Sequence, residues 1–154
     1  MGLKINFSIE YEAHQVDVEK LDALVLCICK LFAIEDAQIS IAIVDDEQIH
    51  DVNNRFLGHD YPTDVISFDL SDESGGIKIF DIIVNAQLGF AKAGELGHAG
   101  IAELALYICH GMLHNLGYDD GEAEKAEKMH EKEDEILQNL GYGVVYGDDR
   151  RGTM

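Results

Sequence analysis

Ile39-Ser40-Ile41-Ala42-Ile43-Val44-Asp45-Asp46-Glu47-Gln48-Ile49-His50 begins as a run rich in β-branched residues and passes directly into a helical pattern. The first six residues predict a strand, because branched side chains pack well on a pleated surface. Asp45 or Asp46 suits a helix N-cap, Ile49, Val52 and Phe56 follow at helical steps, and Gly58 predicts the stop.

The alternation of strand and helix extends in both directions. Upstream, Leu3, Ile5, Phe7 and Ile9 alternate with Lys4, Asn6, Ser8 and Glu10, the period of a half-buried strand. Asp17 to about Phe32 then predicts a helix, with Asp17 as its cap and Leu21, Leu24, Val25, Ile28, Leu31 and Phe32 on its apolar face. Downstream of Pro62, Val65 to Phe68 and Ile77 to Val84 are β-rich runs joined by the turn-like Ser71 to Gly76, which predicts a hairpin or neighbouring strands. Gln87 to Ala93 predicts a short helix, and Gly94, Gly97 and Gly100 a flexible link. Ile101 to Leu116 predicts a long helix stopped by Gly117, and about Glu122 to Leu140 a heavily charged one. Strands interleaved with helices from the outset predict an α/β (α+β) sandwich, a mixed sheet of about four strands covered by about five helices.

No repeat or low-complexity tract divides the 154 residues, so one domain over 1–154 is expected, with 141–154 a flexible tail. The longest apolar stretch, around Leu21 to Ile34, is broken by Asp22 and Lys30 and is too short to cross a bilayer. Met1 to Glu12 has no apolar core of a signal peptide, so a cytoplasmic protein is expected. Three cysteines are an odd number, and Cys27 and Cys29 sit in an apolar helical pattern, which predicts reduced core residues and argues against redox chemistry. Thirty acidic against eleven basic residues give a net charge of −19, a field that repels polyanions. A phosphate-bearing partner therefore needs local basic groups or a metal ion.

His110-Gly111-Met112-Leu113-His114-Asn115-Leu116-Gly117-Tyr118-Asp119-Asp120 carries the chemistry. Residues four apart on a helix stand one turn above each other, so His110 and His114 can aim at one ion. Glu103 and Tyr107 continue that stripe, while Ile101, Leu104, Ala105, Ile108 and Met112 form an opposite, core-facing one. Gly117 predicts a left-handed residue that ends the helix and folds Asp119 or Asp120 back beside the imidazoles. Two nitrogens and one carboxylate leave a position open for water, the pattern of a catalytic zinc, although nickel, manganese or iron suit the same donors. The general-base glutamate of zinc peptidases is absent, since its place is Gly111, so peptide hydrolysis by that route is disfavoured. His14, His50, His98 and His130 lack partners at ligand spacing and are read as surface residues. The acidic residues of the last helix, from Glu122 to Glu135, are read as a solvated face, with a docking surface for a basic protein as the functional alternative.

With these residues in view, the chain resembles the YbeY endoribonuclease, or rRNA maturation factor, family. The family pattern H-G-x-L-H-x-x-G-Y-D-H is matched at His110, Gly111, Leu113, His114, Gly117, Tyr118 and Asp119, and departs at Asp120. A P-T-D-V-L-S-F-like block appears as Pro62-Thr63-Asp64-Val65-Ile66-Ser67-Phe68, preceded by Asn53 and Phe56, and Asp81-Ile82-Ile83-Val84 resembles the family's G-D-I strand with Phe80 in place of its glycine. The resemblance implies a metal-dependent, single-strand-specific endoribonuclease that matures the 3′ end of small-subunit ribosomal RNA in ribosome quality control. It implies His110, His114 and Asp120 as ligands of one zinc ion or another divalent metal, with Asp120 standing where the family has histidine. Glu103 and Asp119 are then expected to orient a ligand imidazole or relay a proton beside the catalytic His110 and His114. Leu57 occupies the place of a frequent family arginine, which leaves Arg55 and Ser67 as expected substrate contacts. The implied partners are ribosomal RNA and small-subunit ribosomal proteins, without a membrane. The acidity and Leu57 also favour an alternative, a metal-containing assembly factor that binds protein partners and cleaves nothing.

Overall fold

In the computed structural model, which describes residues 2–72 and 75–142, the order is β1 (Leu3–Ile9), α1 (Val18–Leu31), β2 (Ala37–Val44), α2 (Asp46–Val52), β3 (Val65–Asp69), β4 (Lys78–Asn85), α3 (Ala86–Leu96), α4 (Gly100–Asn115) and α5 (Ala123–Asn139). A π-helical turn, Asn53–Leu57, directly follows α2. The expected α/β architecture with a four-stranded mixed sheet and five helices is present. From residue 143 onward the expected tail lies outside the described residues.

The strands stand in the order β1-β2-β4-β3, with β1, β2 and β4 parallel and β3 antiparallel along β4. Alternation then sorts the side chains. Ile39, Ile41, Ile43, Phe80, Ile82 and Val84 share one face and are buried against Leu21, Leu24 and Ile28 of α1 and Leu104, Ile108 and Met112 of α4. Each fully buried aliphatic side chain of this kind contributes roughly 1.5–3 kcal/mol of hydrophobic stabilisation. Residues of the other parity, Ala42 and Ile83, join Val52 and Phe68 around a smaller cluster of Val44, Ile49 and Ile66.

Asp17 caps α1 by accepting from the Lys20 amide at 3.3 Å. Asp45, rather than Asp46, caps α2 in a reciprocal box with Gln48, at 2.9 and 3.1 Å. The helix does not run on regularly to Phe56 as expected. Buried Asn53 donates to the Tyr61 carbonyl and the Thr63 hydroxyl at 3.2 and 3.0 Å, and from this anchored residue the last turn widens to the π form before left-handed Gly58 ends it. Phe56 is consequently 69% exposed instead of lying on an apolar face.

The glycines after α3 are likewise not a flexible link. Gly94 lies within α3, Gly97 is its left-handed cap, and Gly100 opens α4 with the Phe90 ring filling the space a Cβ needs. Helix α4 is apolar nearly all round, and residues 102–109 and 111–113 are buried. It packs against α1, α3, α5, β3 and β4, so Glu103 and Tyr107 are interior residues rather than parts of an open histidine face. At Gly111 the helix comes so near the sheet that a Cβ would meet Ile82 and Val65 methyls at 3.2 and 3.3 Å and Ser67 at 3.5 Å.

Candidate functional site

The site grows from the carboxyl end of α4, where burial gives way to solvent. His110 is half-buried, His114 is exposed, and the helix stops at Leu116. Gly117 adopts φ 105°, and the Tyr118 amide bonds back to the Leu113 carbonyl at 3.0 Å, a Schellman closure that turns the chain round. The returning Tyr118 carbonyl accepts from His114 Nδ1 at 3.1 Å. A carbonyl only accepts, so Nδ1 carries the proton and His114 Nε2 keeps its lone pair. Two residues on, Asp120 Oδ2 lies 3.4 Å from His110 Nε2. The expected glycine turn therefore brings Asp120 beside His110.

His110 is held from the other side. Its Nδ1 is 2.7 Å from Glu133 Oε2, and Oε1 of the same carboxylate is 2.6 Å from His130 Nδ1. Glu133 is fully buried and His130 nearly so. His130 is not a surface residue, and Glu133 and Asp134 belong to the buried side of α5 although Glu124, Glu127, Glu131 and Glu135 face solvent. The reason is periodicity: Met129, Glu133, Ile136 and Leu137 share one stripe, and that stripe is the one docked on the core. A carboxylate set in an apolar stripe is the signal that composition alone conceals.

Burial by itself would depress the His110 pKa, but the hydrogen bond to Glu133 and the charges of Glu133, Asp64 and Asp120 outweigh it and raise the imidazole above its ordinary value. Burial would raise Glu133, yet the bonds from His110 and His130 hold its carboxyl below the ordinary range. Nearby, Tyr107 is pushed well above the usual phenol value by burial and by the charge of Asp64. The loop ahead of β3 thus contributes Asp64 to the electrostatics of the site.

Other expected residues lie elsewhere. Glu103 is fully buried and pairs with His98 at 3.2 Å, while the carboxylate bonded to His110 Nδ1 is that of Glu133, and half-buried His98 is more than a surface residue. Asp119 accepts from the Gly121 amide at 2.9 Å, which shapes the entry to α5. Ser67 lies on β3 under Gly111, on the helix side of the sheet. Arg55 stands exposed on the π turn, 3.2 Å from Asp51, beside exposed Leu57. A trough of about 560 Å³ lined by Phe7, Val52, Phe56, Phe68 and Leu70 holds none of the histidines.

His110, His130 and Glu133 bring three ligand-type atoms within 4.8 Å of one another, close enough for a metal ion. Glu133 is already hydrogen-bonded to both rings, so an ion between them must displace two short bonds. On the outer side, His110 Nε2, His114 Nε2 and Asp120 are nitrogen and carboxylate donors of the kind borderline divalent cations take.

The family described as Endoribonuclease YbeY matches residues 6–141. A protein named Endoribonuclease YbeY from Carboxydothermus hydrogenoformans is 39% identical over 103 residues, covering 67% of this chain and 72% of that one. A second of that name, from Geobacillus thermodenitrificans, is 35% identical over 155 aligned positions, covering 92% and 98%. A protein of Thermotoga maritima with a known solution structure is similar in fold, with a TM-score of 0.58 and 25% identity over 89% of this chain and 90% of that one.

Proposed function

We propose, from the premise that the chain belongs to the endoribonuclease YbeY family, that it is a metal-dependent endoribonuclease whose single ion sits between His110, His114 and Asp120. The observation that carries this reading is the pair of imidazoles whose Nδ1 atoms are both engaged by protein acceptors, with Asp120 3.4 Å from the opposite nitrogen of His110. Such anchoring of ligand histidines through their far nitrogens is what metal sites require. Zinc is the ion proposed first, because two nitrogens and one carboxylate leave a coordination position open. When bound, a divalent ion supplies Lewis-acid stabilisation of a phosphoryl oxygen and lowers the pKa of its water.

The chain's own contribution is positioning. Tyr118 and Glu133 hold the two rings, and Gly117 delivers Asp120. Ser67, beneath Gly111, and Arg55, exposed on the π turn, are the proposed substrate contacts, and Asp119 shapes the turn beside the ligands. The proposed substrate is single-stranded RNA at the 3′ end of small-subunit ribosomal RNA, in the cytoplasm, with ribosomal proteins of the small subunit as partners; the two motif blocks support this. No helix among the described residues is long and apolar enough to cross a membrane.

Incubating the purified chain with that RNA, with and without chelator, tests the reading. Cleavage is expected to stop on chelation and to return with added zinc. The His114→Ala and Asp120→Ala variants should lose both stoichiometric metal and cleavage. Full metal content in Asp120→Ala would remove Asp120 from the ligand set. Metal uptake without any cleavage is the result that favours the assembly-factor reading, which the net charge of −19 and the Arg55–Asp51 pair support.

A further inference from the structure

The buried His130 stands on α5, outside the ligand motif, yet it reaches the same carboxylate as His110. We propose that His130 is a positioning residue for the metal centre: by donating from Nδ1 to Glu133, it fixes the carboxylate that in turn fixes which nitrogen of His110 faces the ion. This inference rests on the ion reading given above and adds a residue to it.

Glu133 offers one oxygen to each ring, Oε2 to His110 at 2.7 Å and Oε1 to His130 at 2.6 Å. The carboxylate plane is therefore pinned at both ends. An acceptor at Nδ1 selects the His110 form that carries its proton there, which leaves Nε2 as the lone-pair atom toward Asp120, 3.4 Å away. Without the donor at His130, Oε1 loses its partner in a fully buried position, and the side chain is free to turn toward another one. His110 then loses the defined anchor that sets its ring orientation. The ring centroids of His110 and His130 are 6.3 Å apart with the ring planes near parallel, and the one carboxylate bonds to both. His130 makes no claim on the ion itself: its role runs through Glu133.

Cobalt titration of the full chain, stripped with chelator and followed by visible absorption, tests this. Wild type is expected to take one cobalt ion. His130→Leu, which keeps bulk and removes the donor, should weaken cobalt binding about tenfold or more, in the range seen when outer partners of metal ligands are removed. His130→Asn, whose side-chain amide can donate from a similar place, should recover binding to within about threefold of wild type. Unchanged affinity in His130→Leu overturns the inference and leaves the ion reading intact, as does equal weakening in both variants, which would assign His130 a space-filling role. A wild-type chain that takes up no cobalt sinks the ion reading and this inference with it. Should His130→Leu fail to fold by circular dichroism, nitrogen NMR of the wild-type imidazoles decides. Protons on Nδ1 of both His110 and His130 support the relay, and a proton on Nε2 of His110 with Nδ1 bare overturns it.

Discussion

Glu133 shows how far one side chain can be displaced from the role its neighbours suggest. It stands in a run of charged residues, and Glu124, Glu127, Glu131 and Glu135 of the same helix face solvent, yet it is fully buried and takes hydrogen bonds from two rings. A buried carboxylate is tolerated only when its oxygens are bonded, and both are. The cysteines follow the same logic of environment. Cys29 and Cys109 are buried and Cys27 is half-buried, as reduced core residues should be. Burial raises the thiol pKa of Cys29, and raises that of Cys109 further with help from the charge of Glu133. At pH 8, mass spectrometry after brief alkylation of the native chain should find Cys27 modified first and Cys109 last. The sign for stability follows from linkage. An unfolded thiol ionises at lower pH than these folded ones, so their contribution is intact below about pH 9 and is lost as pH rises beyond it. Denaturant midpoints measured at pH 8 and at pH 10 should fall with rising pH, less so in Cys109→Ala than in wild type.

At the scale of elements, the junction of β4 with α3 ties the site to the sheet. Asn85 is fully buried; its Oδ1 caps α3 at the Leu88 amide, 3.0 Å away, and its Nδ2 donates to Asp46 and to the Thr63 carbonyl at 2.6 and 3.1 Å. One residue thus joins β4, α2, α3 and the loop that carries Asp64. Asn85→Ala removes a cap and strands buried polar partners, and is expected to cost about 2–3 kcal/mol in urea unfolding. A loss below about 0.5 kcal/mol would mean water replaces all three bonds. The π turn after α2 has the same origin, a buried asparagine whose amide is bonded outside its own helix. Spacing predicted the strand and the start of that helix, because those depend on neighbours in sequence. It did not predict the widened turn, because Tyr61 and Thr63 act on Asn53 from across the loop.

For the whole molecule, the net charge of −19 is the dominant long-range fact. Most nucleic-acid binders lose affinity with added salt, because cations are released from the phosphates. This chain should behave differently, since screening over a Debye length of about 10 Å at 0.1 M relieves repulsion between two polyanions. With divalent metal held constant, fluorescence anisotropy should show RNA association unchanged or strengthened as monovalent salt rises to about 0.15 M. A steep decline would reveal a local basic surface that the net charge of −19 conceals. The sequence alone determined the strand and helix order, the two histidines one turn apart and the glycine turn beyond them, since these are local consequences of periodicity, capping and left-handed glycine. Only the tertiary structure decided that α4 is enclosed on nearly all sides, that Glu103 turns to His98, and that His130 and Glu133 arrive beside His110 from a separate helix. Those pairings join residues far apart in the chain, and their energies come from burial and hydrogen bonding, which exist only once the helices have packed.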